Sequence, residues 1–241
     1  MEHIDSHRSD ALVEEGRVLV ANADEHGLTM RLLGGVGVFL HCPRTLGHHA
    51  HRTFKDLDVA VPPGSTSQTT SVMTGAGYEA DRRFNAMQDD RRMIFYGPNG
   101  KVDVFVGDFA MCHRLALTDR LALDPMTLTA TDLLLTKLQV VEFNQKDLDD
   151  SAALLAEHEF GEGDDDHIDK AYLARLLGDD WGLWRTVSGS LATIAERLPQ
   201  LAGRTEALMQ VAAEAPKSRR FRMRARIGER KLWYEQPDEI A

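Results

Sequence analysis

Apolar positions recur along this chain in two rhythms, and the change from one to the other falls near its middle. Residues 9–23 carry Ala11, Leu12, Val18, Leu19 and Ala21 among acids, the spacing of an amphipathic helix that ends before Gly27. Residues 28–33 read as a strand, followed by Gly34-Gly35 and a short apolar helix over 36–41. A loop rich in His and Arg, residues 42–54, leads into a strand over 56–61 that Pro62 and Pro63 terminate. Residues 65–75 suit a crossover helix, and 92–96 with 101–106 read as two strands of a hairpin joined by Gly-Pro-Asn-Gly. Beyond Asp108 the spacing turns helical. Leu133, Leu134, Leu135, Leu138 and Val141 mark one helix, Leu148, Ala152, Leu154 and Leu155 a second. Further helices are predicted at about 168–177, 181–197 and 203–214, and the acidic stretch 157–166 reads as a loop or boundary. The pattern predicts an α+β fold: a small mixed β-sheet with flanking helices, followed by a C-terminal helical region. The expected organisation is a sheet-containing core over 1–125, a helical region over 126–216 and a basic C-terminal arm over 217–241.

Composition narrows this picture. With 43% hydrophobic residues in 241, the chain can bury a full core. Its longest apolar runs break well short of the roughly 20 residues of a membrane helix, and its polar, acidic first residues do not suit a secretory signal. A cytoplasmic protein without membrane partners is expected, with Cys42 and Cys112 as reduced thiols. The formal charge of −10 conceals an asymmetry, because residues 217–231 hold eight Lys or Arg against the single acid Glu229. The acidic body repels polyanions, so any nucleic acid must be met locally. Arg220, Arg222, Arg224 and Arg226 alternate with apolar residues, a period of two that predicts an edge strand or extended arm with four guanidiniums along one side. Such an arm could clamp an RNA backbone or pair with its own acidic body.

The chemistry rests on carboxylates. Alternation along a strand places Asp56 and Asp58 on one face and Leu57, Val59 and Val61 on the other. Asp103 sits among Val102, Val104, Phe105 and Val106, where a buried acid is costly unless paired. If the two strands are neighbours, three carboxylates converge, and their repulsion calls for a cation. Oxygen-only ligation favours Mg2+ or Mn2+. Gly34-Gly35 before a helix offers backbone N–H groups to phosphate oxygens. Lys137, on an otherwise apolar helix, must reach solvent or an anion. His41, His48, His49 and His51 gather with Cys42 in one polar loop, in a spacing that matches no closed zinc site.

The order strand, Gly34-Gly35, helix, strand with Asp56-x-Asp58, hairpin strand with Asp103 resembles the nucleotidyltransferase superfamily with the DNA polymerase beta-like fold. The resemblance covers about residues 20–150. Within it, the run 133–139 followed by Lys146-Asp147 looks like the minimal AbiEii-type nucleotidyltransferases, which include bacterial toxins acting on transfer RNA. The resemblance implies a nucleotidyltransferase-like catalytic core over 1–125, with Asp56, Asp58 and Asp103 as metal ligands and catalytic residues. It implies that Gly34, Gly35 and Lys137 hold the nucleotide, with Arg52, Lys146 and Asp147 as further nucleotide-binding candidates. The implied reaction moves an NMP from an NTP to an acceptor hydroxyl, with RNA as a candidate acceptor and an antitoxin protein as a candidate partner. Asp103→Ala is then expected to abolish transfer and, by relieving repulsion, to leave the fold intact. Two other readings stand beside this one: an inactive protein of the same fold that binds RNA or an acidic partner, and a small-molecule nucleotidyltransferase of the antibiotic-modifying kind.

Overall fold

The computed structural model describes residues 2–45, 53–88 and 90–236, with side chains from residue 9. The chain forms two compact units, one of residues 1–109 with 116–129 and one of residues 110–115 with 130–241.

The first unit runs α1 (Glu2–Glu25), β1 (Arg31–Leu33), α2 (Gly34–His41), β2 (Asp56–Val61), α3 (Thr66–Gly75), β3 (Glu79–Ala80), α4 (Arg82–Met87), β4 (Arg92–Tyr96) and β5 (Lys101–Val106). Its five-stranded sheet has the order β1-β2-β5-β4-β3. The β2–β5 pair is parallel and the other pairs are antiparallel, so the sheet is mixed, and with its helices it is the α+β arrangement expected. The two faces of the sheet differ in chemistry because side chains alternate. On one face Leu57, Val59, Val61, Val102, Val104, Val106, Met93 and Phe95 are buried in a single cluster with Leu12 and Leu19 of α1 and Val72 and Met73 of α3. Register then fixes the opposite face: Asp58 lies across from Asp103, and Asp56 across from Lys101. Arg92 of the antiparallel β4 lies across from Phe105 and Tyr96 across from Lys101, which adds both to that polar face. The β4–β5 turn closes through Gly97 N–H to Gly100 C=O at 2.9 Å.

Two-residue strands β6 (Phe109–Ala110) and β7 (Arg114–Leu115) follow along the chain. The second unit is mainly helical, with α5 (Ala130–Leu138), α6 (Gln145–Glu157), the short strands β8 (Phe160–Gly161) and β9 (Ile168–Asp169), α7 (Lys170–Asp179), α8 (Trp181–Arg197), α9 (Ala202–Glu214) and α10 (Arg219–Ile227). α5 is buried on almost every side, which accounts for its run of three leucines. α8 packs against α5, α7, α9 and α10. Among the described residues no helix is long and apolar enough to cross a membrane.

The stretch expected to be an edge strand or extended arm is instead α10. Arg, Met and Ala are strong helix formers, and Ser218 caps the first turn by accepting from Phe221 N–H at 3.0 Å. Helical geometry splits the four arginines into two i,i+4 pairs rather than one row. Arg220 pairs with Asp179 and Asp180. Arg224 stacks 4.9 Å from Trp181 and donates to the carbonyls of Gly228, Lys231 and Leu232. Arg222 and Arg226 are exposed, while Phe221 is buried against Trp184.

His113 is buried, with its backbone N–H donating to Gln139 Oε1 at 2.7 Å. Burial pushes its imidazole below the ordinary 6.5, against the pull of Asp180. The unfolded chain therefore takes up this proton first, so the stability that His113 contributes is present above 6.5 and is lost as pH falls below that value toward the folded pKa. Thermal unfolding followed from neutral pH to about pH 5 is expected to show a decline that His113→Gln flattens.

Candidate active site

The polar face of the first unit's sheet concentrates its charge on β2, β4 and β5. Asp56 and Asp58 are half-buried, whereas Asp103 is only 2% exposed. A carboxylate buried that deeply must be paired, and it is: Arg92 Nε donates to Oδ1 at 2.9 Å and Lys101 Nζ lies 2.7 Å from Oδ2. The Arg92 guanidinium also stacks 5.0 Å from the Phe105 ring, which fixes its position. Among the described residues, three carboxylates share this face with the two cations that hold Asp103.

Gly34 closes the cluster from β1. Its φ of +62° is the left-handed region, and a Cβ there would lie 2.0 Å from Asp58 Oδ2, so only glycine permits this approach. α2 starts at Gly34 behind Leu33, with no side-chain cap, which leaves first-turn N–H groups for other acceptors. The position two before Asp56 is Phe54, buried and edge-on to Phe39 at 5.6 Å, with its N–H donated to Ser9 Oγ.

The donor set fits a hard divalent cation. All three candidate ligands are carboxylates, two of them on one face of β2, and the third is in register with Asp58 on the adjacent strand. Each Asp103 oxygen keeps acceptor capacity beyond its one cation contact. Asp56, Asp58 and Asp103 would hold the ion.

The structure thus brings Asp56, Asp58, Asp103 and Gly34 together, with Gly35 the next residue of α2. Arg52, and with it His48, His49 and His51, lies outside the described residues. His41 bonds through Nε2 to Thr127 Oγ1 at 2.6 Å and to the Leu128 carbonyl at 3.1 Å. Lys137, Lys146 and Asp147 belong to the second unit. There Lys137 Nζ sits 3.0 Å from Asp150 Oδ2. Asp147 completes a capping box with Asn144 at the start of α6. Burial pushes the Asp147 carboxyl up, opposed chiefly by Lys137. Sequence reasoning missed Arg92 and Lys101. The second was within reach, since it lies two residues before Asp103 in one strand and so shares its face. The first required the hairpin register.

No family model and no curated protein matches the chain. Two solved structures are similar to it: an antigenic nucleotidyltransferase-like protein from Paracoccidioides brasiliensis and the antibiotic-resistance factor ANT(2'')-Ia. The first is 14% identical, covering 87% of this chain and 95% of that one with a TM-score of 0.49. The second is 11% identical, covering 83% and 99% with a TM-score of 0.44.

Proposed function

We propose that the chain is a metal-dependent nucleotidyltransferase that moves an NMP from an NTP to an acceptor hydroxyl and releases pyrophosphate. The observation that carries this reading is the register of Asp58 with Asp103 on adjacent parallel strands, with Asp56 on the same face. A bound magnesium or manganese ion would supply Lewis-acid stabilisation of charge developing on the phosphates. Asp56 and Asp58, half-buried, face the entering nucleotide, while Arg92 and Lys101 hold Asp103 in one orientation to accept the acceptor's proton. Gly34 and Gly35 at the start of α2 offer N–H groups to phosphate oxygens. Among nucleotidyltransferases the motif order is most like the AbiEii type, which makes RNA such as transfer RNA the first acceptor class to test and an antitoxin a candidate partner. Arg222 and Arg226 are the exposed arginines on α10 available to such an RNA. A small-molecule acceptor of the antibiotic kind is the alternative within the same chemistry.

A second reading has its own support: both Asp103 oxygens are already engaged by cations, as befits a protein that keeps the fold and has given up the reaction. The deciding experiment incubates the protein with each labelled NTP, magnesium and total RNA, and follows which species gains label. Label in RNA is the expected result, and label in an added small molecule moves the acceptor to the other class. Absence of label together with absence of magnesium-dependent stabilisation by NTP would establish the inactive reading. An enzyme at 100 times its Kd gains about 2.7 kcal/mol.

A further inference from the structure

The second unit contains a cavity of about 550 Å³ walled by Trp181 and Gly182 at the start of α8, by α10, by His113 and by the chain from Lys231 to Glu235. That is the size of a small-molecule site, and several contacts hold its wall in place. Glu235 N–H donates to the Cys112 carbonyl at 2.9 Å, and Arg224 ties down the carbonyls of Lys231 and Leu232. A Cβ on Gly182 would lie 2.6 Å from the Trp233 carbonyl oxygen, so glycine there lets the final segment close over the start of the helix.

Two of the chain's three tryptophans line this cavity, with Trp181 and Trp233 edge to face at 6.3 Å and Tyr234 against Trp233 at 5.4 Å. Trp233 Nε1 can only donate, and it donates to Thr186 Oγ1 at 3.0 Å. Thr186 Oγ1 also lies 2.8 Å from His113 Nε2, and its one proton can be given to that nitrogen. In that tautomer the neutral ring carries its proton on Nδ1, which has no hydrogen-bond partner among the described residues. His113 is only 8% exposed and lines the aromatic cavity, and in that tautomer it presents an N–H donor there. Arg114, Arg220, Arg224 and Lys231 line it against Asp180 and Glu235, a local positive excess in a chain of net charge −10.

We propose that this cavity is a binding site for a small planar aromatic anion, a phosphate or carboxylate carried on a ring system. The rings take the planar body, and the cations with the His113 N–H take the anionic group. This site is separate from the carboxylate cluster and does not rest on the reaction proposed there.

The test is calorimetric titration of the full chain without magnesium, with 1-naphthyl phosphate and 1-naphthoate as probes and 1-naphthol and inorganic phosphate as controls. The indole N–H resonances of the tryptophans are followed in parallel. Saturable binding of at least one anionic probe, at least about tenfold tighter than either control and with shifts at Trp181 and Trp233, is expected. The probe that binds tighter identifies the anionic group. Lys231→Glu, an exposed change that leaves the fold untouched, is expected to weaken binding about tenfold, and His113→Phe to do the same. Asp56→Asn with Asp58→Asn is expected to leave the affinity for these probes unchanged. Equal binding of 1-naphthol, unaltered affinity in both the Lys231 and His113 variants, or loss of binding in the aspartate double variant would each overturn the proposal.

Discussion

Asp103→Ala is expected to remove nucleotidyl transfer and, at the same time, to weaken the fold. In an isolated cluster of acids, deleting one carboxylate relieves repulsion and stabilises. Here the deletion instead strands Arg92 and Lys101, whose side chains are 22% and 31% exposed, against a buried carboxylate that is 3% exposed. Removing one partner of a buried pair typically costs 3–5 kcal/mol, and the partial solvation of both cations lowers the expectation here to about 2–3 kcal/mol. This replaces the expectation from sequence that Asp103→Ala leaves the fold intact, and the reason is the pair of cations that register brings to the same face. Asp56→Asn provides the contrast. Asp56 is half-buried and carries no ion pair among the described residues, so the substitution is expected to shift stability by less than about 0.5 kcal/mol. Both variants are expected to lose at least roughly a hundredfold in transfer rate. Denaturant unfolding alongside a label-transfer assay separates the two effects. Unchanged transfer in Asp56→Asn would remove the proposed reaction, and unchanged stability in Asp103→Ala would refute the ion-pair account.

Gly34→Ala is expected to be the most damaging single-methyl substitution in the first unit. At φ +62° any Cβ costs about 1–2 kcal/mol. The added methyl would also stand 2.0 Å from Asp58 Oδ2 and 2.8 Å from its Cγ, well inside contact distance. Either the β1–α2 junction or the aspartate must give way, for a total of about 3 kcal/mol. In a chain of this size that corresponds to a fall of roughly 6–12 °C in the melting temperature. The double-mutant cycle with Asp58→Ala identifies the cause. With the carboxylate gone, the alanine at position 34 is expected to cost only its backbone share, leaving a coupling of more than about 1 kcal/mol. Additive losses would show that Gly34 serves its turn alone and has no bearing on where Asp58 points.

The strands that carry the site were legible because their alternation is strong. The bounds of β2, β4 and β5 agree with the sequence reading, since each alternates one buried aliphatic series with a second set of residues. β3 and α4 were not seen. Glu79-Ala80 is too short to establish any rhythm, and α4 has no buried residue to mark a face. The pattern of α10 suggests the wrong period because the eight residues from Arg220 to Ile227 alternate Arg with apolar groups and satisfy a strand template, while their propensities and the Ser218 cap favour a helix. Within the site, the three aspartates and Gly34 announced themselves by being chemically out of place or conformationally special. Arg92 did not, because an arginine opening a strand is unremarkable until the pairing partner of that strand is known.

The parallel pairing of β2 with β5 also governs how this unit must be made. Asp58 meets a residue 45 positions further along, so no ribosome-bound chain that stops short of Lys101 can contain the acid pair. Until β5 emerges, β2 presents Leu57 and Val59 on a strand with one unmatched edge, and such an edge invites pairing with other nascent copies. C-terminal truncations ending between β2 and β5 are therefore poor starting points for a soluble fragment, and boundaries for a minimal unit belong after Thr129.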